Sequence, residues 1–145
     1  MIITSGEYTL KFADGGVEVY HGGALLYFNR RPMYAFIKTA LSITEFYDAP
    51  YEAVDIKGKV VAASGVLQSP TGSRLAFQDT YEAAGDGFKI SRLVTVLENA
   101  DDYGFATKIS FVMAASDEVS DYDVFAPANW YRQNEYAKPH VMGFD

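Results

Sequence analysis

Apolar side chains return at every second position along most of this chain, and that period belongs to strands. In Glu7–Phe12, Tyr8, Leu10 and Phe12 fall on one side while Glu7, Thr9 and Lys11 fall on the other, as in an antiparallel strand with one buried face. Asp14-Gly15-Gly16 follows as a turn tripeptide that tolerates positive φ, and Val17–Tyr20 completes a hairpin. His21-Gly22-Gly23 turns the chain again into Ala24–Asn29. Phe36–Ile43 is expected to be the next strand, with Ile37, Thr39, Leu41 and Ile43 on one face and Phe36, Lys38, Ala40 and Ser42 on the other. Part of Arg31–Phe46 would permit a helix, but Phe36, Ile37, Thr39, Ile43 and Thr44 are aromatic or β-branched and favour extended chain.

The second half alternates more regularly. Lys59–Leu67 reads as a strand of small residues, and Ser64-Gly65 within it suggests a bulge. Ser69-Pro70-Thr71-Gly72 is a turn. Ser73–Ala83 then sets Leu75, Phe77, Asp79 and Tyr81 on one face, Gly85-Asp86-Gly87 reverses the chain, and Phe88–Leu97 returns with Ile90, Val94, Thr95 and Val96. Beyond the polar turn Asn99–Gly104, Gly104–Ala114 is predicted as one strand with Phe105, Thr107, Ile109, Phe111 and Met113 on one side. Strands this long imply large sheets.

The chain is therefore expected to be all-β, with roughly eight or nine antiparallel strands joined mostly to their neighbours. Two packed sheets, a β-sandwich, are the leading arrangement, because a single sheet of that size would leave an apolar face in water; a closed β-barrel is the alternative. A chain of 145 residues buries about two-thirds of its unfolded surface and needs no staple. Its 49% hydrophobic and 21% charged residues exclude disorder and a coiled coil. The absence of cysteine excludes a disulfide scaffold, a thiol nucleophile and a thiolate zinc site. After Ser120 the alternation stops. Residues 1–120 are read as the sandwich, and 121–145 as an irregular tail that either packs on it or leads into a domain absent from this chain.

The net charge of −7 argues against nucleic acid and anionic membrane as partners. Between Glu98 and Asp123 the acids Glu98, Asp101, Asp102, Asp117, Glu118, Asp121 and Asp123 meet one base, Lys108. A solvated loop face accounts for them; a calcium site would need oxygens at an EF-hand spacing that this stretch lacks. The start, Met1-Ile2-Ile3-Thr4-Ser5-Gly6, has no basic region and no long apolar run, so it does not read as a signal peptide and a cytoplasmic location is expected unless a leader has been removed. No apolar run is long enough to span a bilayer as a helix.

Few residues suggest chemistry. His21 and His140 are the only histidines and lie far apart, so neither a transition-metal site nor a cofactor is expected. Gly-x-Ser-x-Gly is absent, and Gly85-Asp86-Gly87 lacks the strand-to-helix setting of a phosphate cradle. Asp79 and Glu82, three apart in a strand, point to opposite faces. Asp79 lies on the apolar face and is expected to be a buried acid partnered by Arg92 of the next strand, either as a structural ion pair or as a catalytic or ligand-orienting group. In Phe125-Ala126-Pro127-Ala128-Asn129-Trp130-Tyr131-Arg132-Gln133-Asn134, Trp130 and Tyr131 offer flat faces, and Arg132 and Asn134 offer donors suited to hydroxyls. That combination suits carbohydrate; the alternative is that the two rings close the edge of the core while Arg132 reaches water.

The run of hairpins through Leu75-Ala76-Phe77-Gln78-Asp79-Thr80-Tyr81, Ile90-Ser91-Arg92 and Asp102-Tyr103-Gly104-Phe105, followed by Pro127-x-x-Trp130-Tyr131-x-x-Asn134, resembles the N-terminal β-supersandwich of glycoside hydrolases, the galactose-mutarotase-like domain that precedes an (α/α)6 barrel. The resemblance covers roughly the last half of the chain. It implies a non-catalytic accessory domain that shapes a glycan site, with Trp130, Tyr131 and Asn134 approaching the glycan and the catalytic domain lying C-terminal to this chain. Two other functions remain open at this point: a lipocalin-like small-molecule barrel, and a small stand-alone enzyme using Asp79, Arg92 and Glu82.

Overall fold

The computed structural model describes residues 1–39, 44–100, 102, 104–114, 125–126 and 129–130. Among these, every regular element is a strand, and no helix is long and apolar enough to cross a membrane. The chain divides into two compact units, Met1–Ala114 and Ala115–Asp145.

The first unit opens with a meander: β1 (Ile2–Ser5), β2 (Tyr8–Ala13), β3 (Gly16–His21) and β4 (Ala24–Asn29). The turn between β2 and β3 is two residues long, Asp14 and Gly15, both at positive φ (52° and 71°), which matches the right-handed twist of a tight hairpin. Next come β5 (Met33–Lys38), β6 (Thr44–Ala49) and β7 (Ala53–Lys57). The long strands β8 (Val60–Gln68), β9 (Arg74–Ala84) and β10 (Gly87–Glu98) follow, and then the short β11 (Phe105–Thr107) and β12 (Val112–Met113).

These strands form three antiparallel sheets, ordered β1-β2-β3-β4-β12, β10-β9-β8-β7 and β11-β5-β6. The four-stranded sheet turns Val61, Ala63, Leu67, Leu75, Phe77 and Tyr81 inward. Opposite them lie Ile3, Leu10, Phe12 and Val17 from the five-stranded sheet and Met33, Ala35 and Ile37 from the three-stranded one, in a single core. The Phe12 ring meets Tyr81 edge-on at 5.0 Å between centroids. The fold is a β-sandwich in which one layer is shared between two sheets. No described sheet closes on itself, so the barrel alternative is excluded.

Three expectations are corrected. Of the strand read over Phe36–Ile43, Phe36–Lys38 is the end of β5, which starts earlier at Met33 and pairs with β6 from Met33↔Ala49 to Lys38↔Thr44; residues 40–43 lie outside the described residues. The alternation actually begins at Met33, with Met33, Ala35 and Ile37 buried. Gly104–Ala114 is likewise not one strand: β11 pairs with β5 and β12 with β4, so the segment crosses between two sheets. Finally, Ser64-Gly65 is not a bulge, because β8 and β9 keep register through Ser64↔Gln78 and Gly65↔Phe77. Gly65 is small for another reason: a Cβ there would lie 2.8 Å from Met33 Cε and 2.9 Å from its Sδ.

In the second unit, β13 (Phe125–Ala126) and β14 (Asn129–Trp130) form a two-stranded ribbon with Phe125 opposite Trp130.

Candidate functional site

Period two sends Asp79 into the core with Leu75, Phe77 and Tyr81, and antiparallel register places Arg92 directly opposite. The Asp79 side chain is fully shielded and that of Arg92 is 6% exposed. Arg92 Nε donates to Asp79 Oδ1 at 2.8 Å and Nη2 to Oδ2 at 2.6 Å, the planar fork geometry that suits Arg with carboxylate. The remaining N–H groups donate to Pro32 O (2.7 Å), Lys108 O (2.6 Å) and Thr107 Oγ1 (3.0 Å), so every guanidinium donor has an acceptor. The Phe77 ring lies 5.1 Å from the guanidinium carbon.

Tyr51 completes this centre. Its amide donates to Gly15 O at 2.8 Å, and a Cβ on Gly15 would collide with the Tyr51 carbonyl, so the tight turn seats this tyrosine. The Tyr51 hydroxyl donates to Asp79 Oδ2. Its only proton is thereby used, so Tyr81, 2.7 Å away, donates to the Tyr51 oxygen. Burial pushes the Tyr51 hydroxyl far above its usual range, with Tyr81 and Asp79 adding to the effect. Burial likewise pushes Tyr81 up to about 12. For Arg92, burial pulls downward, but the hydrogen bonds and attraction of Asp79 outweigh it and the net shift is upward. Asp79 is thus shielded rather than set in an open cleft. Glu82 is exposed on the opposite side of the strand.

Arg92 also organises a surface. By holding Pro32, just ahead of β5, and Thr107 and Lys108, at the end of β11, it clamps both strands. Thr107 Oγ1 passes the link on to Tyr34 O at 2.6 Å. On the outer face of this three-stranded sheet Tyr34, Phe36 and Phe46 form a row. Phe36 meets Phe46 edge-on at 5.1 Å and Tyr34 lies 6.0 Å from it at a tilt of 38°. Phe46, on the edge strand with both neighbouring rings on β5, is 61% exposed. Lys108 Nζ stands 4.5 Å from the Tyr34 centroid. Arg31 lies at the same end of the row, pairing through Nε with Oδ1 of Asp48, the residue opposite Tyr34, and donating from Nη2 to Asp48 O at 2.6 Å. Burial, then the Asp48 carboxylate, raise the Tyr34 hydroxyl.

Of the residues the sequence points to, Asp79 and Arg92 are brought together. Trp130 is placed by its backbone alone, as the register partner of Phe125. Tyr131, Arg132 and Asn134 lie outside the described residues, as do His140 and the acids Asp101, Asp117, Glu118, Asp121 and Asp123. Asp102 is buried and accepts from Thr71 and Ser73 at 2.5 and 2.7 Å, tying down the turn after β8. His21 pairs with Glu7 at 3.0 Å. Among the described residues no cluster of metal-ligating side chains is present. The ring row was missed in the sequence because Phe46 belongs to a strand that was not recognised; the alternation of Tyr34 and Phe36 against Met33, Ala35 and Ile37 was the available signal. No protein-family model, curated protein or solved structure matches the chain.

Proposed function

We propose that this chain is a non-catalytic β-sandwich module of a carbohydrate-active enzyme, of the glycoside hydrolase kind, and that it contacts glycan. The observation that carries the reading is the row Tyr34–Phe36–Phe46 on the outer face of a clamped sheet, with Phe46 largely exposed and Phe36 half-buried beside it. Pyranose rings present C–H faces to aromatic rings, and charged or amide groups beside the rings orient hydroxyls; Arg31, Asp48 and Lys108 stand in that position. A rigid strand face loses little entropy on binding. Trp130, opposite Phe125 in the backbone register of the ribbon, is the second candidate for glycan contact.

The test is affinity electrophoresis of the full chain across neutral and acidic polysaccharides, with Trp130 fluorescence read in parallel. Retention by at least one glycan, lost in Phe46→Ala or Trp130→Ala at unchanged melting temperature, is the expected result. A chain that no glycan retains, and whose fluorescence no glycan perturbs, refutes the proposal.

A further inference from the structure

The geometry points to a particular class of glycan: we infer that the ring row takes a uronate polysaccharide, with a sugar stacked on Phe46 and its carboxylate on Lys108. This rests on the glycan reading above and adds the charge of the ligand. Lys108 covers the outer side of Tyr34, so Tyr34 is not a stacking face; Phe46 and Phe36 are. Among the described residues no carboxylate lies within ion-pair distance of Lys108, nor of Lys57, Lys59 and Lys89, but of these only Lys108 stands by the rings, where the neighbouring Arg31 and Arg92 are each already paired. Asp48, the acid nearest the rings, is already matched by Arg31. The patch therefore carries a local positive charge on a chain whose net charge is −7, and that complementarity selects an anion.

The anion must also offer an apolar ring face. An equatorial carboxylate on a pyranose projects sideways from the ring, so a sugar stacked on Phe46 presents it toward the neighbouring Tyr34 and the ammonium above it. One lysine beside two ring faces matches one carboxylate per sugar, whereas a nucleic-acid backbone needs an array of cations. Lys108 is held for this role from below, since its carbonyl accepts from Arg92 Nη1 at 2.6 Å.

The experiment compares polygalacturonate with its fully methyl-esterified form, which keeps the rings and removes the charge. Wild type is expected to bind the acid form about fivefold more tightly, with Lys108→Met losing that preference and Lys108→Arg keeping it. Phe46→Ala is expected to weaken binding of both forms about tenfold. Equal binding of the two forms by wild type overturns the uronate assignment and leaves the glycan reading standing. Binding of neither form, with a neutral glycan retained, does the same; no binding of any glycan overturns both. Phe46-dependent binding of single-stranded DNA, or a dimer that Phe46→Ala converts to monomer, overturns the proposal in favour of a different occupant. If a variant fails to fold, the two forms compared on wild type alone still decide.

Discussion

Two carboxylates in this molecule gather cations, and they do so in opposite surroundings. Asp79 is fully shielded, and its partner Arg92 is 6% exposed. Glu18, on the outer face of the five-stranded sheet, is 9% exposed, but its partners Lys11 and Arg30 are 44% and 56% exposed. Lys11 Nζ and the Tyr20 hydroxyl donate to Glu18 Oε2 at 3.1 and 2.9 Å, and Arg30 donates to Oε1 at 2.8 Å. Through one guanidinium the inner pair joins β9 and β10 of one sheet to β11 and the lead-in to β5 of another. The outer cluster links β3 to β2 and to the residue just past β4, strands that are already hydrogen-bonded neighbours. The same chemistry therefore positions a surface in one case and decorates a meander in the other.

The largest effect expected is for Arg92→Leu, which leaves a buried carboxylate without its cation and costs roughly 3–5 kcal/mol in urea unfolding. The double variant Asp79→Leu/Arg92→Leu should recover much of that loss. If the single variant costs no more than a surface change, the inner pair is no different from the outer one. A positioning role makes a further demand: the double variant, although folded, should still bind glycan more weakly than wild type, because Pro32, Thr107 and Lys108 are no longer held.

Tyr51→Phe removes a donor from Asp79 and the acceptor of Tyr81 without changing the ring, and is expected to cost about 1–3 kcal/mol. Alkaline unfolding probes the same centre. An unfolded tyrosine loses its proton near 10, whereas Tyr81 in the fold holds it to about 12. Stability is then fully present below pH 10 and falls as pH rises through that window. Tyr81→Phe should flatten the fall, as monitored by tyrosinate absorbance together with unfolding free energy; an unaltered slope would mean that Tyr81 is more accessible than the structure has it.

Glu18→Gln should show the smallest effect, about 1 kcal/mol or less at low salt and close to nothing in 1 M salt. Its sign with pH is opposite to that of Tyr81. The hydrogen bonds of Tyr20 and then Lys11 hold the Glu18 carboxyl below its usual 4.5, so its contribution is present above that pH and is lost as pH falls. A Glu18→Gln penalty that survives high salt would erase the contrast between the two clusters.

Much of the inner centre was legible in advance. Alternation alone puts Asp79 beside Phe77 and Tyr81, and a short turn at Gly85-Asp86 brings Arg92 within reach on the next strand. Tyr51 was not legible, because it belongs to no alternating run and reaches Asp79 through a contact with the Asp14–Gly15 turn. The ring row was half legible: Tyr34 and Phe36 sit two apart, but pairing them with Phe46 requires the register of a hairpin whose connecting residues gave the impression of continuous strand. Lys108 was read only as the lone base of an acidic stretch.

The sequence by itself determined that the chain is built of strands, which side of β2 and β9 turns inward, and where several reversals fall, since the pleat and the turn are properties of a few consecutive residues. The partition of the strands into three sheets, the crossing of the segment after β10 from one sheet to another, and the reach of Arg92 to Pro32, 60 positions away, were decided only in the tertiary structure. A strand's period states which face is apolar but not which other face will cover it, and that choice belongs to the packing of the whole core.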